Sequence, residues 1–458
     1  MKRLMMQSLL KWKDSKDRKP LILKGVRQVG KTWLLKKFGE TSFSNYHYVN
    51  FEKNPGLSKI FEQDLSPQRI LNELSFHLGK PIDIHKDLVI FDEIQEVPKA
   101  LTSLKYFCEE CRELAICGAG SLLGIHLNSG SFPVGKVTFL ALKPMTFEEF
   151  LMANDDEKSL QFLHHPTQNS IPEVVHEHLW QRLKHYFIVG GLPEVVSSYL
   201  LHKEDPFTAF SKAREKQKDL VLSYYADIAK HSGKVNAMHI DRILNSIPSQ
   251  IQQTQDGSIS RFKFKGVVPG ISHYDRLAGA IDWLENAGLL IKIHIVNTGY
   301  LPFKGYSKES FFKLLLFDVG ILGIMTNLPP KTILDYDYGS YKGYFAENFV
   351  AEEFIGAGQE ALFSWQEANS EVEFLLEVDG SVVPVEVKSG SVTKAKSLSK
   401  FAEKYNPPVQ VILSGKRPSL EKAGRNQCFP LYLAGKLTQA LEAKSSSTLT
   451  TEDLPKSL

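Results

Sequence analysis

Several features that define other protein classes are scarce or missing in this chain of 458 residues. Only four cysteines are present, which is too few for a disulfide-built scaffold. No apolar run is long enough to span a bilayer, so we expect no transmembrane helix. The basic N-terminal stretch lacks the apolar core of a signal peptide because Gln7 and Ser8 interrupt it. These absences predict a cytoplasmic protein without a membrane partner.

An excess of one charge is also missing, because 55 basic residues face 52 acidic ones. The resulting net charge of +3 neither requires nor excludes a nucleic-acid partner. Apolar residues make up 43% of the chain, an ordinary globular value that excludes disordered and fibrous proteins. The length favours about three domains.

Short apolar runs alternate with helical patterns between residues 20 and 150. Such alternation is typical of a parallel α/β sheet. We therefore predict an α/β domain over residues 1–151. Its strands are predicted at residues 21–25, 46–51, 87–93 and 113–118.

The rest of the chain divides into further segments. The polar stretch 152–173 predicts a boundary, and residues 174–325 are mainly helical. Residues 273–296 have the pattern of a helix, a glycine stop and a strand, which suits a winged-helix unit. A helix and two alternating strands predict a third, α/β domain at 340–440, and residues 441–458 lack a core pattern and are predicted to be disordered.

The segment GVRQVGKT matches the phosphate-binding pattern G-x-x-x-x-G-K-[ST]. Its glycines permit a tight turn whose backbone N–H groups are directed at phosphates. Lys31 is predicted to reach the β- and γ-phosphates and to act in catalysis, and the Thr32 hydroxyl is predicted to bind Mg²⁺. The predicted ATP-binding residues are Gly25, Val26, Arg27, Gln28, Val29, Gly30, Lys31 and Thr32.

A second acidic element, LVIFDE, ends in Asp92 and Glu93. A buried parallel strand delivers such residues to the carboxyl edge of the sheet, where Asp92 is predicted to hold Mg²⁺. Glu93 is predicted to polarise an attacking water, which points to hydrolysis. The alternative is a core strand with solvated end charges. Ser121 is a candidate sensor of the γ-phosphate, and a plain glycine-rich turn is an equal alternative.

These residues resemble a known family. RQVGKTWLLKKF, VIFDEIQEVP, GAGS and LKPMTFEEF are similar to motifs of prokaryotic ATPases of the AAA superfamily. FIVGGLPEVV, FKLLLFDVGIL and SWQEANSEVEFLLEVDGSVVPVEVKSG are similar to further segments of that family, so the resemblance covers nearly the whole chain. It implies ATP binding and hydrolysis, DNA as a candidate partner, and an end that looks like a PD-(D/E)xK nuclease.

Two positions depart from the family's pattern. Lys136 stands where an arginine usually precedes the LKPMTFEEF-like motif, and lysine lacks the planar guanidinium of an arginine finger. Arg27 is the other candidate for that role, with a simple surface charge as an equal alternative. Glu373 stands where the family usually has aspartate, which changes the reach of a metal-binding carboxylate by one methylene.

The dipeptide Asp379-Gly380 predicts a two-residue hairpin turn. The resulting register places Glu373 opposite Glu386 and Glu371 opposite Lys388. Opposed carboxylates repel unless Mg²⁺ or Lys388 lies between them. The alternation assigns to one face Val372, Phe374, Leu376, Val378, Val383, Val385 and Val387.

The resemblance to PD-(D/E)xK nucleases gives these residues roles. Glu373 and Glu386 would bind a metal, Lys388 would position water, and Glu347 fits the third acid by its place on the preceding helix. The alternative is a nuclease fold that no longer cleaves and only recognises a partner.

The favoured hypothesis is an AAA-type ATPase coupled to a nuclease-like module that contacts DNA. The first alternative is a nucleotide-controlled protein-interaction switch with an inactive nuclease-like domain, and the second is a P-loop kinase. A second copy of the chain and another protein are further candidate partners. The basic segments 212–218 and 262–265 are candidate phosphate contacts, although 212–218 is more simply a solvated helix face.

Overall fold

The computed structural model describes residues 1–120, 133–165, 171–252, 261–390, 395–417 and 426–442. The chain divides into two compact units. The first contains residues 2–143 and 286–289, and the second contains Met1, residues 144–285 and the chain from residue 290 onward. Of the tail 441–458 predicted to be disordered, Leu441 and Glu442 are helical and Leu441 is buried, and residues 443–458 lie outside the described residues. None of the helices described is both long and apolar enough to cross a membrane.

The described residues of the first unit form a five-stranded parallel sheet. Its strands are β1 (Leu21–Lys24), β2 (Asn45–Asn50), β3 (Asp87–Asp92), β4 (Ala115–Gly120) and β5 (Thr138–Ala141). They lie in the order β2-β3-β4-β1-β5. All six residues of β3 are buried, as expected for a central parallel strand covered on both faces. The predicted parallel α/β sheet is therefore confirmed.

The helix α1 (Met5–Lys13) precedes β1, and three helices lie between successive strands. They are α2 (Lys31–Ser42), α3 (Pro67–Leu78) and α4 (Pro98–Glu110). Proline at the first position starts both α3 and α4, where its missing N–H has no helical partner to lose. Gly79 ends α3 in the left-handed conformation that glycine adopts without strain.

The second unit begins with a helical region. Its helices are α5 (Phe147–Ala153), α6 (Glu157–His164), α7 (Glu173–Val189), α8 (Pro193–Leu201), α9 (Pro206–His231), α10 (Lys234–Gln252) and α11 (Ala278–Asn286). The stretch 152–173, predicted as a boundary, thus contains the helix α6. Gly190 and Gly191 separate α7 from α8. A Cβ at Gly191 would lie 2.1 Å from the Met145 carbonyl oxygen, so this turn requires glycine.

The basic segment 212–218 lies within α9, and its residues do not form a uniformly solvated face. Arg214 and Gln217 are buried. Arg214 donates hydrogen bonds to the carbonyl oxygens of Gly320 and Leu328. Lys216 instead forms an ion pair with Glu194 at 2.9 Å. The predicted solvated face is therefore only half correct, because helical periodicity turns two of the polar residues inward.

The described C-terminal part of the chain forms a seven-stranded mixed sheet. Its strands are β6 (Leu290–Val296), β7 (Phe312–Leu316), β8 (Leu362–Glu367), β9 (Ser370–Val378), β10 (Ser381–Val387), β11 (Gln410–Ser414) and β12 (Asn426–Pro430). They lie in the order β12-β11-β10-β9-β8-β6-β7. The helix, glycine stop and strand predicted at 273–296 correspond to α11, Gly288 and β6. Because β6 pairs with β8, that strand belongs to the same sheet as the C-terminal hairpin.

Helices accompany this sheet. They are α12 (Val319–Met325), α13 (Pro330–Leu334), α14 (Tyr341–Gly356) and α15 (Lys396–Tyr405). The side chain of Asn348 on α14 accepts a hydrogen bond from the Leu316 amide and donates one to its carbonyl oxygen. This pair of bonds fastens α14 to the end of β7.

The predicted hairpin register is confirmed from the Ser381–Val378 pair to the Val385–Phe374 pair. The prediction that Val372 lies on the same face of the sheet as Phe374 is wrong. Between its pairings with β8, β9 contains one extra residue, a β-bulge. Val372 therefore packs with Trp365 in one core cluster, whereas the Phe374 ring contacts Phe354 of α14.

Candidate nucleotide-binding site and C-terminal acidic cluster

The phosphate loop, residues 25–30, connects the end of β1 to the start of α2. Gln28 and Gly30 have positive φ angles of 63° and 94°, and successive turns of this kind direct backbone N–H groups into one concavity. A Cβ at Gly25 would lie 2.4 Å from the Leu142 carbonyl oxygen, so only glycine fits there. The loop therefore has the backbone geometry that the sequence pattern predicted for binding phosphate.

The Lys31 side chain is buried inside this loop, with 7% of its surface exposed. Its Nζ donates hydrogen bonds to the carbonyl oxygens of Gly25 at 2.8 Å and Val26 at 3.0 Å. Burial, with a small contribution from the charge of Arg27, lowers the pKa of Lys31 to about 8, although the carboxylates of Glu93 and Asp92 oppose this change. The ammonium is thus held by neutral carbonyl groups rather than by a carboxylate, so its charge is available to an anionic ligand.

Thr32 and Asp92 meet at the carboxyl edge of the sheet. The Thr32 hydroxyl donates a hydrogen bond to Asp92 Oδ2 at 2.9 Å, and the Tyr48 hydroxyl donates to the same oxygen at 2.7 Å. The Asn50 amide also approaches it, at 3.5 Å. A hydroxyl and a carboxylate are the oxygen ligands that Mg²⁺ takes in nucleotide sites. The residues present therefore fit the predicted ion.

Glu93 directly follows β3, with a φ angle of 50° in the left-handed region. Its Oε2 accepts a hydrogen bond from the Gln95 amide at 2.5 Å. Burial raises the pKa of Glu93, and the neighbouring charge of Asp92 adds to this effect, while Gln95 and Lys31 oppose it. A partly desolvated carboxylate beside the phosphate loop has the character of a general base.

The remaining predicted nucleotide contacts have different outcomes. Ser121, the candidate γ-phosphate sensor, lies outside the described residues. Lys136 pairs with Glu109 at 2.9 Å on the surface of the first unit. Arg27 lies close enough to Lys31 to affect its pKa, so its charge belongs to the surroundings of the phosphate loop.

In the second unit, four carboxylates form an acidic cluster, namely Glu347, Glu371, Glu373 and Glu386. Lys313 also belongs to this cluster, which the sequence did not predict. It lies on β7, and its side chain is buried between two carboxylates. Its Nζ donates to Glu347 Oε1 at 2.8 Å and forms an ion pair with Glu371. These two carboxylates raise the pKa of Lys313 although burial opposes the change. A single lysine in the otherwise apolar strand FKLLL was the available sequence signal.

The predicted pair Glu373 and Glu386 lies beside this group. Lys388 donates to Glu386 Oε1 at 2.5 Å, and Glu373 Oε2 accepts a hydrogen bond from the Val387 amide at 3.2 Å. Burial, and next the charge of Glu386, raise the pKa of Glu373 well above its ordinary value. Glu386 is itself only 4% exposed. The carboxylates are therefore neighbours, and Glu386 is buried while Glu373 is partly exposed.

Comparison of this cluster with a metal site gives a mixed result. Its carboxylate oxygens are suitable ligands for a divalent ion. However, within the described residues no group of three or more His, Cys, Asp and Glu side chains is arranged to hold a metal. Glu347, predicted as the third acid, is bound by Lys313 instead. The donor set fits a metal in kind, whereas two lysines already form ion pairs with three of its carboxylates.

Comparison with family models assigns the three parts of the chain separately. Residues 17–151 match the family described as an AAA domain. Residues 181–332 and 342–434 match two domains of unknown function, DUF8612 and DUF4143. Together with the strand order and the phosphate loop, the first match identifies residues 17–151 as an AAA-type P-loop domain. A comparison with curated proteins found no match.

Solved structures give distant similarities. The Walker-type ATPase of Pyrococcus abyssi is 16% identical with a TM-score of 0.43, over 71% of this chain and 95% of that chain. AMPPCP-bound DnaA from Aquifex aeolicus is 15% identical with a TM-score of 0.29, over 62% and 87%. The Aeropyrum pernix ORC1 protein in complex with DNA is 14% identical with a TM-score of 0.24, over 72% and 92%. The fold assignment therefore rests on the AAA family match and on the sheet itself.

Proposed function

We propose that the chain binds ATP with Mg²⁺ and hydrolyses it. The observation that carries this proposal is the hydrogen bond from Thr32 to Asp92, which joins two sequence motifs at the carboxyl edge of the parallel sheet. The buried Lys31 ammonium lies in the adjacent loop. The AAA family match over residues 17–151 supports the same activity.

Each group has a distinct role in the proposed reaction. The backbone N–H groups of residues 25–30 and the Lys31 ammonium bind the phosphates. Thr32 and Asp92 would hold Mg²⁺, which supplies neutralisation of the charge that develops on the phosphoryl oxygens. Glu93 accepts the proton of the attacking water, and its raised pKa makes it a stronger base than an exposed carboxylate. The phosphoryl group is transferred to water, so no second substrate is needed.

The proposal is tested with Glu93→Gln. We expect phosphate release to fall by about 10²–10⁴-fold, the usual contribution of a general base, while ATP binding is retained. Glu96→Gln changes an exposed carboxylate in the same turn and is the matched control. ADP formation that requires an added acceptor molecule, with the phosphoryl group recovered on that acceptor, would instead support the kinase alternative.

For the C-terminal region we infer a role in recognition rather than cleavage, with DNA as the candidate partner. One specific observation argues against cleavage, namely the ion pairs that Lys313 and Lys388 form with three carboxylates of the acidic cluster. A carboxylate that already binds an ammonium must exchange it before it can ligate a metal. Hydrolysis at the first unit would then control partner binding by the second.

The inference is tested by incubating the full chain with labelled DNA in Mg²⁺ or Mn²⁺. We expect binding that is sensitive to ATP, with no cleavage. Metal-dependent cleavage that disappears in both Glu386→Gln and Lys388→Met would contradict it and would establish the nuclease hypothesis. An unchanged ATP hydrolysis rate in these variants shows that the first unit is intact.

A further inference from the structure

The first unit contains a cavity at the amino ends of its strands, on the opposite edge of the sheet from the phosphate loop. Its volume is about 510 Å³, a size typical of small-molecule sites. The lining residues come mostly from the segments that precede β1, β2, β3 and β4. Lys86 lines this amino-edge cavity and directly precedes β3, whereas Asp92 ends that strand. The length of the strand, roughly 20 Å, therefore separates the cavity from the nucleotide site.

The lining of the amino-edge cavity is suited to an anion. Its cationic residues are Lys13, Arg18 and Lys86, and His85 lies beside Lys86 in the chain. Glu113 is the single acidic side chain among the described residues that line it. Further hydrogen-bond donors are the hydroxyl groups of Ser42 and Ser44. Positive charge therefore exceeds negative charge at this place, although the chain as a whole is nearly balanced.

Arg18 is held in the cavity wall by neutral groups. Its terminal nitrogens donate to the carbonyl oxygens of Lys13 at 3.1 Å and Glu113 at 2.6 Å. Its guanidinium carbon lies 5.7 Å from the centre of the Trp12 ring. Its Nε is buried and donates to no described residue, although a buried N–H is seldom without an acceptor. The guanidinium thus has a fixed position and a positive charge that a bound anion can neutralise.

The two lysines are also accessible to a ligand. Lys13 Nζ lies 5.1 Å from the centre of the Phe43 ring. Lys86 Nζ approaches Asp83 Oδ2 at 3.9 Å, and both of these side chains are largely exposed, so this pair contributes little. Lys13 stabilises the C-terminal end of α1. Arg18 and Lys86 lie in loops, so helix stabilisation does not explain why three cations surround one cavity.

We propose that the amino-edge cavity binds a small molecule that carries a phosphate group. A phosphate group has about two negative charges and three acceptor oxygens, which suits three cations and the neighbouring hydroxyls better than a carboxylate does. Leu10 and Phe43 supply apolar surface for the rest of the ligand. Walls built from several loops favour a small molecule over a nucleic-acid strand, which needs a continuous groove. This binding site does not depend on ATP hydrolysis by the chain.

The test measures binding of labelled pyrophosphate to the full chain by equilibrium dialysis. Because the phosphate loop is a second place for this probe, the measurement uses Lys31→Met as its background. We expect one pyrophosphate to bind, and Lys13→Glu or Lys86→Glu to lower the affinity by about 10–100-fold, the usual effect of losing a charged donor. Lys11→Glu makes the same change of charge on α1, outside the lining residues, and should leave the affinity unchanged.

The lysine variants are preferred to Arg18→Met, because Arg18 also joins two loops through its hydrogen bonds. Urea denaturation shows whether each variant is as stable as its background. Absence of pyrophosphate binding at millimolar concentration would overturn the proposal, as would equal losses in Lys11→Glu and Lys13→Glu.

Competition identifies the class of ligand. Inorganic phosphate should displace pyrophosphate at lower concentration than citrate, which carries only carboxylates, and the reverse order would overturn the assignment to phosphate. Displacement by a single-stranded oligonucleotide at lower concentration than by inorganic phosphate would show that the cavity belongs to a nucleic-acid surface and would overturn the small-molecule assignment. If the wild type does not hydrolyse ATP, the proposed function fails, whereas the result for this cavity is unaffected.

Discussion

The two acidic sites of this protein differ in what neutralises their carboxylates. At the nucleotide site, Asp92 accepts hydrogen bonds from the neutral hydroxyls of Thr32 and Tyr48, and Lys31 donates to neutral carbonyl oxygens. In the C-terminal cluster, Glu347 and Glu386 each bind an ammonium group directly. The first arrangement keeps opposite charges apart, so both can engage a ligand. The second neutralises them internally, which suits stability more than metal binding.

From this comparison we expect the largest loss of folding stability when Lys313 is replaced. Lys313→Met removes a buried ammonium from the partly buried carboxylates of Glu347 and Glu371, and breaking a buried pair costs about 3–5 kcal/mol. We expect the free energy of unfolding of the second unit to fall by this amount in urea denaturation.

Lys404→Met is the matched control, because Lys404 pairs with Glu367 on the surface, where ion pairs contribute little. Glu347→Gln on the Lys313→Met background should recover part of the loss, since it removes one of the two carboxylates that Lys313 contacts. Equal stabilities for wild type and Lys313→Met would mean that the cluster is not neutralised internally.

Replacement of Lys31 is expected to lower ATP affinity without lowering stability, which is the opposite of the result expected at Lys313. Lys31→Met removes a charged donor to phosphate, a contact worth about 1.5–3 kcal/mol, so ATP affinity should fall by about 10–100-fold. Stability without nucleotide should not fall, because burial disfavours this charge. Lys37→Met changes an exposed lysine on the same helix and should leave affinity unchanged.

The pH dependence of stability also tests whether burial disfavours the charged form of Lys31. The folded pKa of Lys31 is about 8, against an ordinary 10.5, so the unfolded chain binds more protons between these values. The stability of the nucleotide-free wild type should therefore rise with pH across this window. The contribution should be missing in Lys31→Met, and a rise of the same size in that variant would contradict the buried position of Lys31.

The sequence was sufficient where a local pattern decides the structure. Strands β1 to β4, the phosphate loop and the meeting of Thr32 with Asp92 followed from hydrophobic alternation and from the rule that parallel strands end at one edge. The turn at Asp379 fixed the register of β9 and β10 for the same reason.

The sequence was insufficient where distant segments meet. The bulge in β9 depends on its pairing with β8, so the alternation at Val372 alone could not predict it. Lys313 reaches Glu371 from another strand of the sheet, and Arg214 is buried against residues of a later helix. Periodicity reports which side of an element is apolar, whereas these contacts depend on which element lies opposite.

Tyr48 offers the most sensitive test of the comparison, with the smallest expected effect. Its hydroxyl is an internal donor to the Asp92 oxygen that Thr32 also contacts, and this bond helps to raise the pKa of Tyr48 to about 12, after burial. Tyr48→Phe removes one neutral donor, which is worth about 0.5–1.5 kcal/mol, so we expect a loss of about 2–10-fold in Mg²⁺-dependent ATP affinity. Tyr46→Phe, on the same strand, is the control. Because Asp92 is held by neutral groups, losing one should weaken the orientation of the carboxylate without leaving an unpaired charge. A loss of binding free energy of about 3–5 kcal/mol, the size of the stability loss expected for Lys313→Met, would show that the nucleotide site also depends on internal neutralisation.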